Sequence, residues 1–313
     1  MKSATIALFL VAATLAGAPI VAAAQSAGAA AAAAPDVYKP AGQWTADYGD
    51  DYCRLARNFS DGTNTMALAL ERIQPGPDMR LIFVGPDLKL YRSAETIGWH
   101  FLPGDAERQA RATRSETADG KQWYNFGLVK LAPMAPPAPT TPPSPPEPYD
   151  RSAEQALAKG KTGILLDASL TSPVQIETGD LAAPIAALQA CADDLAKTWG
   201  LDPAALRSQK SPVIPVGGGT GWLPQGTVGF ADFAKLGGGS NLVRLVVDAT
   251  GKPTSCAIHW ATLDPTTNDK ICKALMDKGR FTPAKDANGQ PMAGYWVASP
   301  MFLGPPLPAA RGR

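Results

Sequence analysis

Apolar residues recur at alternate positions over much of the first half of the chain. Trp44 to Tyr48, Tyr52 to Phe59, Thr65 to Arg72 and Arg80 to Val84 carry aromatic or aliphatic residues with period two, the spacing of strands that bury one face. Between them lie Gly49-Asp-Asp, Ser60-Asp-Gly and Pro75-Gly-Pro-Asp, all turn formers. The pattern predicts an antiparallel meander. A further strand pair is expected about Asp119-Gly120, with Trp123 to Leu131 as its returning arm, and Gly163 to Asp167 and Pro173 to Glu177 read as two more strands.

The period then changes. Leu181, Ile185, Leu188, Cys191, Leu195 and Trp199 stand three or four apart, on one face of a helix, with Pro184 suited to its first turn and Gly200 to its C-terminal cap. Such a face needs a sheet to pack on, and the meander supplies it. One N-terminal α+β domain, an antiparallel sheet with a packed helix, is therefore expected over residues 36–211. The proline-rich run 133–148 is a polyproline-like insertion within it. Residues 212–226, rich in Gly and Pro, read as a linker to a second domain over 227–304, with 305–313 as a tail.

In that second domain Asn241 to Asp248 and Thr254 to Trp260 alternate again around Ala249-Thr-Gly-Lys-Pro253, which predicts a hairpin. A helix opened by Pro265 follows, then Arg280-Phe-Thr-Pro-Ala, an Asn288-Gly turn and a closing strand, Met292 to Phe302. This succession, with its Asp-x-x-Gly-Lys turn and Arg-Phe-x-Pro-Ala, resembles the C-terminal domain of TonB, the energy transducer of the Gram-negative envelope, over roughly a quarter of the chain. The resemblance implies a small two-layer α/β sandwich with an antiparallel sheet, no catalytic group, and a last strand that receives an extended segment of a partner. Tyr295, Trp296, Val297 and Phe302 are the expected peptide-binding edge. Tyr295 and Val297 would share one face and Trp296 and Ala298 the other, so that one aromatic packs inward and one is left for a ligand. Pro300 near the end of the strand suits an edge, because proline cannot donate to a central ladder. The implied partner is an envelope protein or extended peptide, an outer-membrane receptor among them. The chain departs from the family at two places: Phe233 keeps an aromatic where the family has Tyr-Pro, and the apolar stretch Ile6 to Ala24 lacks the histidine of the transducer's anchor. The stretch from Glu177 to Asp202, taken with the C-terminus, also resembles a family of exported proteins that carry a TonB-like end.

Export is written at the N-terminus. Lys2, the apolar run Ile6 to Ala16 and the small residues before Gln25 form the layout of a secretory signal, residues 1–24, cleaved near Ala24 and followed by an alanine-rich leader, 25–35. The alternative is a retained membrane anchor, as in a true transducer. In the periplasm the four cysteines can be oxidised. Cys256 shares a strand face with Ile258 and Trp260, and Cys272 follows Ile271 on the covering helix, so these two are expected to pair. Cys53 alternates with Leu55 on the meander and Cys191 lies on the apolar helix face, which leaves them as the second pair. The two cross-domain connectivities are the alternatives.

Other chemistry finds little support. A net charge of +1 argues against a nucleic-acid face. There is no Cys-x-x-Cys, and the two histidines stand far apart, so no metal set is expected. His100 reads as structural. His259, out of phase with Cys256, is placed on the other face of its strand, solvated or facing a partner. Gly160-Lys-Thr162 lacks the glycine that a phosphate loop needs at position 155, and Gly217 to Gly221 has no strand before it and no helix after it. With no nucleophile elbow and no His-Glu-x-x-His, the expectation is a periplasmic, non-enzymatic binding protein without a cofactor. A membrane-anchored transducer and a hydrolase with an unrecognised site are the alternatives.

Overall fold

The computed structural model describes residues 34–133, 149–232, 241–261 and 263–304. The signal segment, nearly all of the leader, Met134 to Pro148, Phe233 and the tail lie outside them, as does the side chain of Phe302. The fold is mixed α+β and mostly sheet, with few helices.

The first lobe opens with β1 (Asp36–Pro40), β2 (Thr45–Tyr48), β3 (Cys53–Ser60), β4 (Thr65–Arg72) and β5 (Met79–Gly85). The expected turn between β3 and β4 is made by Asp61, whose carboxylate accepts from the Thr63 and Asn64 amides. Then come β6 (Ile97–Leu102), β7 (Arg108–Ala110), β8 (Thr113–Glu116) and β9 (Gln122–Val129). The rest of the lobe is α1 (Arg151–Ala158), β10 (Gly163–Leu166), β11 (Val174–Ile176), α2 (Ala182–Thr198) and α3 (Pro203–Arg207).

These strands join in one sheet, in the order β7-β6-β10-β11-β1-β3-β4-β5-β9-β8, with β2 also on β3. β1 is its corner. Its residues Asp36 to Tyr38 run parallel to β11, and Lys39 and Pro40 run antiparallel to β3. The sheet therefore curls on itself. Trp99 of β6 meets Phe126 of β9 edge-on at 6.3 Å, although the two strands stand far apart in the strand order. α2 lies on β3 with Leu181, Ile185, Leu188 and Leu195 buried, and the Cys53–Cys191 disulfide ties the two. Gly200, at φ 76°, takes the left-handed position after the helix that a side chain would resist.

The second lobe is built from β12 (Ile214–Pro215), β13 (Leu242–Val247), β14 (Pro253–His259), α4 (Pro265–Lys278), β15 (Phe281–Thr282), β16 (Ala284–Lys285), β17 (Pro291–Met292) and β18 (Gly294–Ala298). At the β13–β14 turn Asp248 accepts from the Thr250 and Lys252 amides. Gly251 there has φ 85°, and a Cβ on it would stand 2.0 Å from the Phe281 carbonyl oxygen. Asp264 caps α4 by accepting from the Thr267 amide, and Pro265 opens the helix. The strand order is β14-β13-β18, all antiparallel, and the Cys256–Cys272 disulfide joins β14 to α4.

Three expectations need correction. Residues 212–226 are not a free linker: Val213 and Leu223 are buried in the second core, β12 pairs with β15, and Trp222 stacks edge-on with Phe281 and Trp296. The glycines of this stretch turn the chain so that its few apolar residues can pack. The last strand does not run to Phe302. It stops at Ala298, and Pro300–Phe302 form a 3-10 turn. Nor do the two expected domains stand apart, since all described residues belong to one compact unit with a third small core, around Ala196, Leu201, Leu206 and Val246, on the seam.

Candidate functional site

The three-stranded sheet has both faces covered. Val243, Leu245 and Val247 of β13, Cys256 and Ile258 of β14, and Trp296 of β18 pack into the core beneath α4. The alternate positions turn the other way. Arg244, Val246, His259 and Tyr295 lie against the first lobe, which explains why all six residues of β13 are buried.

That seam is polar and aromatic. The Arg244 guanidinium sits 4.0 Å from the centre of the Trp199 ring at the end of α2, and Arg80 of β5 sits 3.2 Å from that of Trp260. The Tyr295 ring meets Trp199 edge-on at 5.6 Å, and its hydroxyl donates to the Pro75 carbonyl. Burial pushes the Tyr295 phenol up, with the Asp78 carboxylate adding to the effect. Arg244 also pairs with Asp51 at 3.5 Å. His259 is buried, not solvated, and what it faces is the chain's own first lobe. Burial first, and the Arg244 charge second, push its imidazole down to about 4, while Asp51 acts in the opposite sense.

The expected alternation fails at Trp260. Its φ of 48° is left-handed, so the residue leaves the strand geometry and turns its ring towards Arg80 instead of sharing the inner face with Cys256 and Ile258. The peptide-edge residues are corrected in the same way. Tyr295 and Val297 do share one face and Trp296 and Ala298 the other, but Tyr295 is committed to the first lobe and Trp296 to the α4 core. Neither aromatic is left over for a ligand. What β18 does offer is its position, outermost in the strand order beside β13.

Two cavities open along the seam. One, of about 330 Å³, lies between Val297 and Ser299 at the end of β18 and Glu71, Asp78 and Leu128 of the first lobe. The other, of about 470 Å³, is lined by Asp50, Asp51, Tyr52, His259 and Trp260. Ile73 and Trp260 wall both. No motif pointed to them, because each is assembled from residues some two hundred positions apart. Among the described residues no group of three or more His, Cys, Asp or Glu side chains is placed to hold a metal ion, and no helix is long and apolar enough to cross a membrane. No family model, curated protein or solved structure matches the chain.

Proposed function

We propose that this is an exported, non-enzymatic protein of the Gram-negative envelope that binds an extended segment of another envelope protein by adding it as a strand to β18. One observation carries the reading: β18 is the outer strand of a sheet whose faces are already occupied, by α4 on one side and the first lobe on the other. Covered faces leave no broad side-chain surface for a partner, whereas an outer strand keeps a row of main-chain groups that pair with any extended chain. The layout of hairpin, covering helix and third strand supports the likeness to the TonB C-terminal domain. The two disulfides agree with an oxidising compartment such as the periplasm.

Because the sheet leans on the first lobe, the test uses the whole exported chain. Isotope-labelled protein is titrated with extended peptides from periplasmic segments of outer-membrane receptors, and amide resonances are followed. Shifts concentrated in Tyr295 to Ala298 are expected. No shift at millimolar peptide, or shifts confined to the opposite outer strand, β14, would remove the reading.

A further inference from the structure

Glu71 is a buried carboxylate with one satisfied oxygen and one without a hydrogen-bond donor. Its Oε2 accepts from Arg54 Nε at 2.6 Å, while Oε1 has only the Arg80 guanidinium at 3.8 Å, beyond hydrogen-bond reach. The residue is 1% exposed, yet it lines the 330 Å³ cavity at the end of β18. Apolar side chains make most of the remaining wall, Ile73, Leu128, Leu242, Val297 and the Trp260 ring among them, with Gln74 and Ser299 as its neutral polar groups. Leu128, 43% exposed, is among the few large apolar side chains left open to water.

Charge narrows what such a cavity can accept. An anion entering it would meet Glu71 and Asp78. A cation would meet sites already served, since Arg54 and Arg80 flank Glu71 and Lys130 stands 3.6 Å from Asp78. A neutral donor meets neither obstacle and completes the buried oxygen. The volume lies near the lower end of the range for small-ligand sites, roughly 300–1,000 Å³, which suits one large side chain better than a whole peptide.

We infer that this cavity is a specificity pocket for an aromatic side chain bearing one neutral donor, the phenol of tyrosine or the indole of tryptophan, with the O–H or N–H on Glu71 Oε1 and the ring between Leu128 and Val297. The inference rests on the reading of β18 as the pairing strand, because Val297 and Ala298 of that strand wall the pocket. The added segment supplies the backbone pairing, and its aromatic residue supplies the choice of partner.

The test uses the full chain with both disulfides intact and a set of extended peptides that differ at one central position: Tyr, Trp, Phe, Lys or Glu. The Tyr and Trp peptides are expected to bind about tenfold more tightly than the Phe peptide, the size of one hydrogen bond to a charged acceptor. Equal binding of Tyr and Phe, or a preference for Lys or Glu, overturns the inference and leaves the β18 reading standing. N-acetyltyrosinamide is titrated in parallel while the methyl resonances of Leu128 and Val297 are followed. Methyl shifts without any peptide binding would retain the pocket and sink the edge, and absence of both responses sinks both. Leu128→Glu, at an exposed wall, is expected to weaken the Tyr peptide at least about tenfold without lowering the thermal midpoint. An unchanged affinity in that variant counts against the pocket. Glu71→Gln is a poor probe, because it disturbs the arginines around it.

Discussion

Arg244 and Trp199 belong to different lobes, and their contact, with the guanidinium 4.0 Å from the ring centre, joins the middle strand of the small sheet to the end of α2. Trp199 also receives the edge of Tyr295 at 5.6 Å. One side chain of the first lobe thus holds residues from two strands of the second. An arginine stacked on an indole out of water contributes ~0.5–2 kcal/mol, and an edge-on aromatic pair a further ~0.5–1.5 kcal/mol.

Trp199→Ala is therefore expected to destabilise the chain by about 2–3 kcal/mol, and to do so unevenly. Hydrogen exchange should quicken most in β13 and β18 and much less in β3 to β5, whose core Trp199 only borders. A uniform acceleration, or none, would show that the lobes are not coupled through this residue.

Acid should loosen the same seam. His259 is 3% exposed, and burial followed by the Arg244 charge holds its imidazole at about 4 against an ordinary 6.5. Between those values the unfolded chain binds the proton and the folded chain does not. The contribution of neutral His259 is thus complete above pH 6.5 and is lost as pH falls towards 4, by up to about 3 kcal/mol. Asp61 and Asp119, held at about 2 by hydrogen bonds from their own turns, lose their contributions only below their ordinary 3.8. Of these three groups only His259 acts in the window from pH 6.5 to 4.5. Denaturant midpoints measured across it should fall in the wild type and fall much less in His259→Gln; parallel curves would discard the assignment.

The two disulfides should differ in their response to reductant. Cys53 is fully buried and Cys191 nearly so, whereas Cys256 and Cys272 are half-buried. Mild thiol treatment followed by alkylation and mass mapping is expected to label Cys256 and Cys272 first, and Cys53 and Cys191 only under denaturant. On the chain-entropy account the Cys256–Cys272 link, 16 residues apart, contributes ~3 kcal/mol, and the Cys53–Cys191 link, 138 apart, about 5 kcal/mol. Loss of the longer link is accordingly the more damaging. Labelling in the reverse order would contradict the burial.

What could be read from the residues was local and periodic. The Asp248 to Lys252 turn, the α2 face ending at Trp199 and the alternation that sends Cys256 and Val243 inward each repeat at a spacing set by backbone geometry. The corner at β1 could not be read, because five residues divide their pairing between β11 and β3, and no local pattern records a partner that far along the chain. Trp260 misled for a related reason. A strand period assumes strand dihedrals, and the left-handed φ of this residue breaks the count at the position that walls both cavities. The glycines of 212–226 resembled a linker because composition is blind to the burial of Val213 and Leu223.

The same blindness hid a buried ionic network that offers the sharpest test of what holds α1 in place. Arg72 of β4 pairs with Glu154 of α1, and both side chains are almost wholly removed from water. The second Glu154 oxygen accepts from Tyr149 and from Gln189, the latter at 2.9 Å. Glu154→Ala leaves the Arg72 charge buried without its counter-ion, and a broken buried pair typically costs ~3–5 kcal/mol. Arg72→Met combined with Glu154→Leu removes both desolvated charges and fills the space with apolar atoms, so most of that loss should return. Gln189 Nε2 already lies 3.1 Å from the Tyr149 hydroxyl, so these two can satisfy one another once the carboxylate is gone. Urea midpoints of the wild type, the single variant and the double variant decide the matter: the double variant should lie much nearer the wild type than Glu154→Ala does. A double variant as unstable as the single one would mean that the ion pair orients α1 in a way that apolar packing cannot replace.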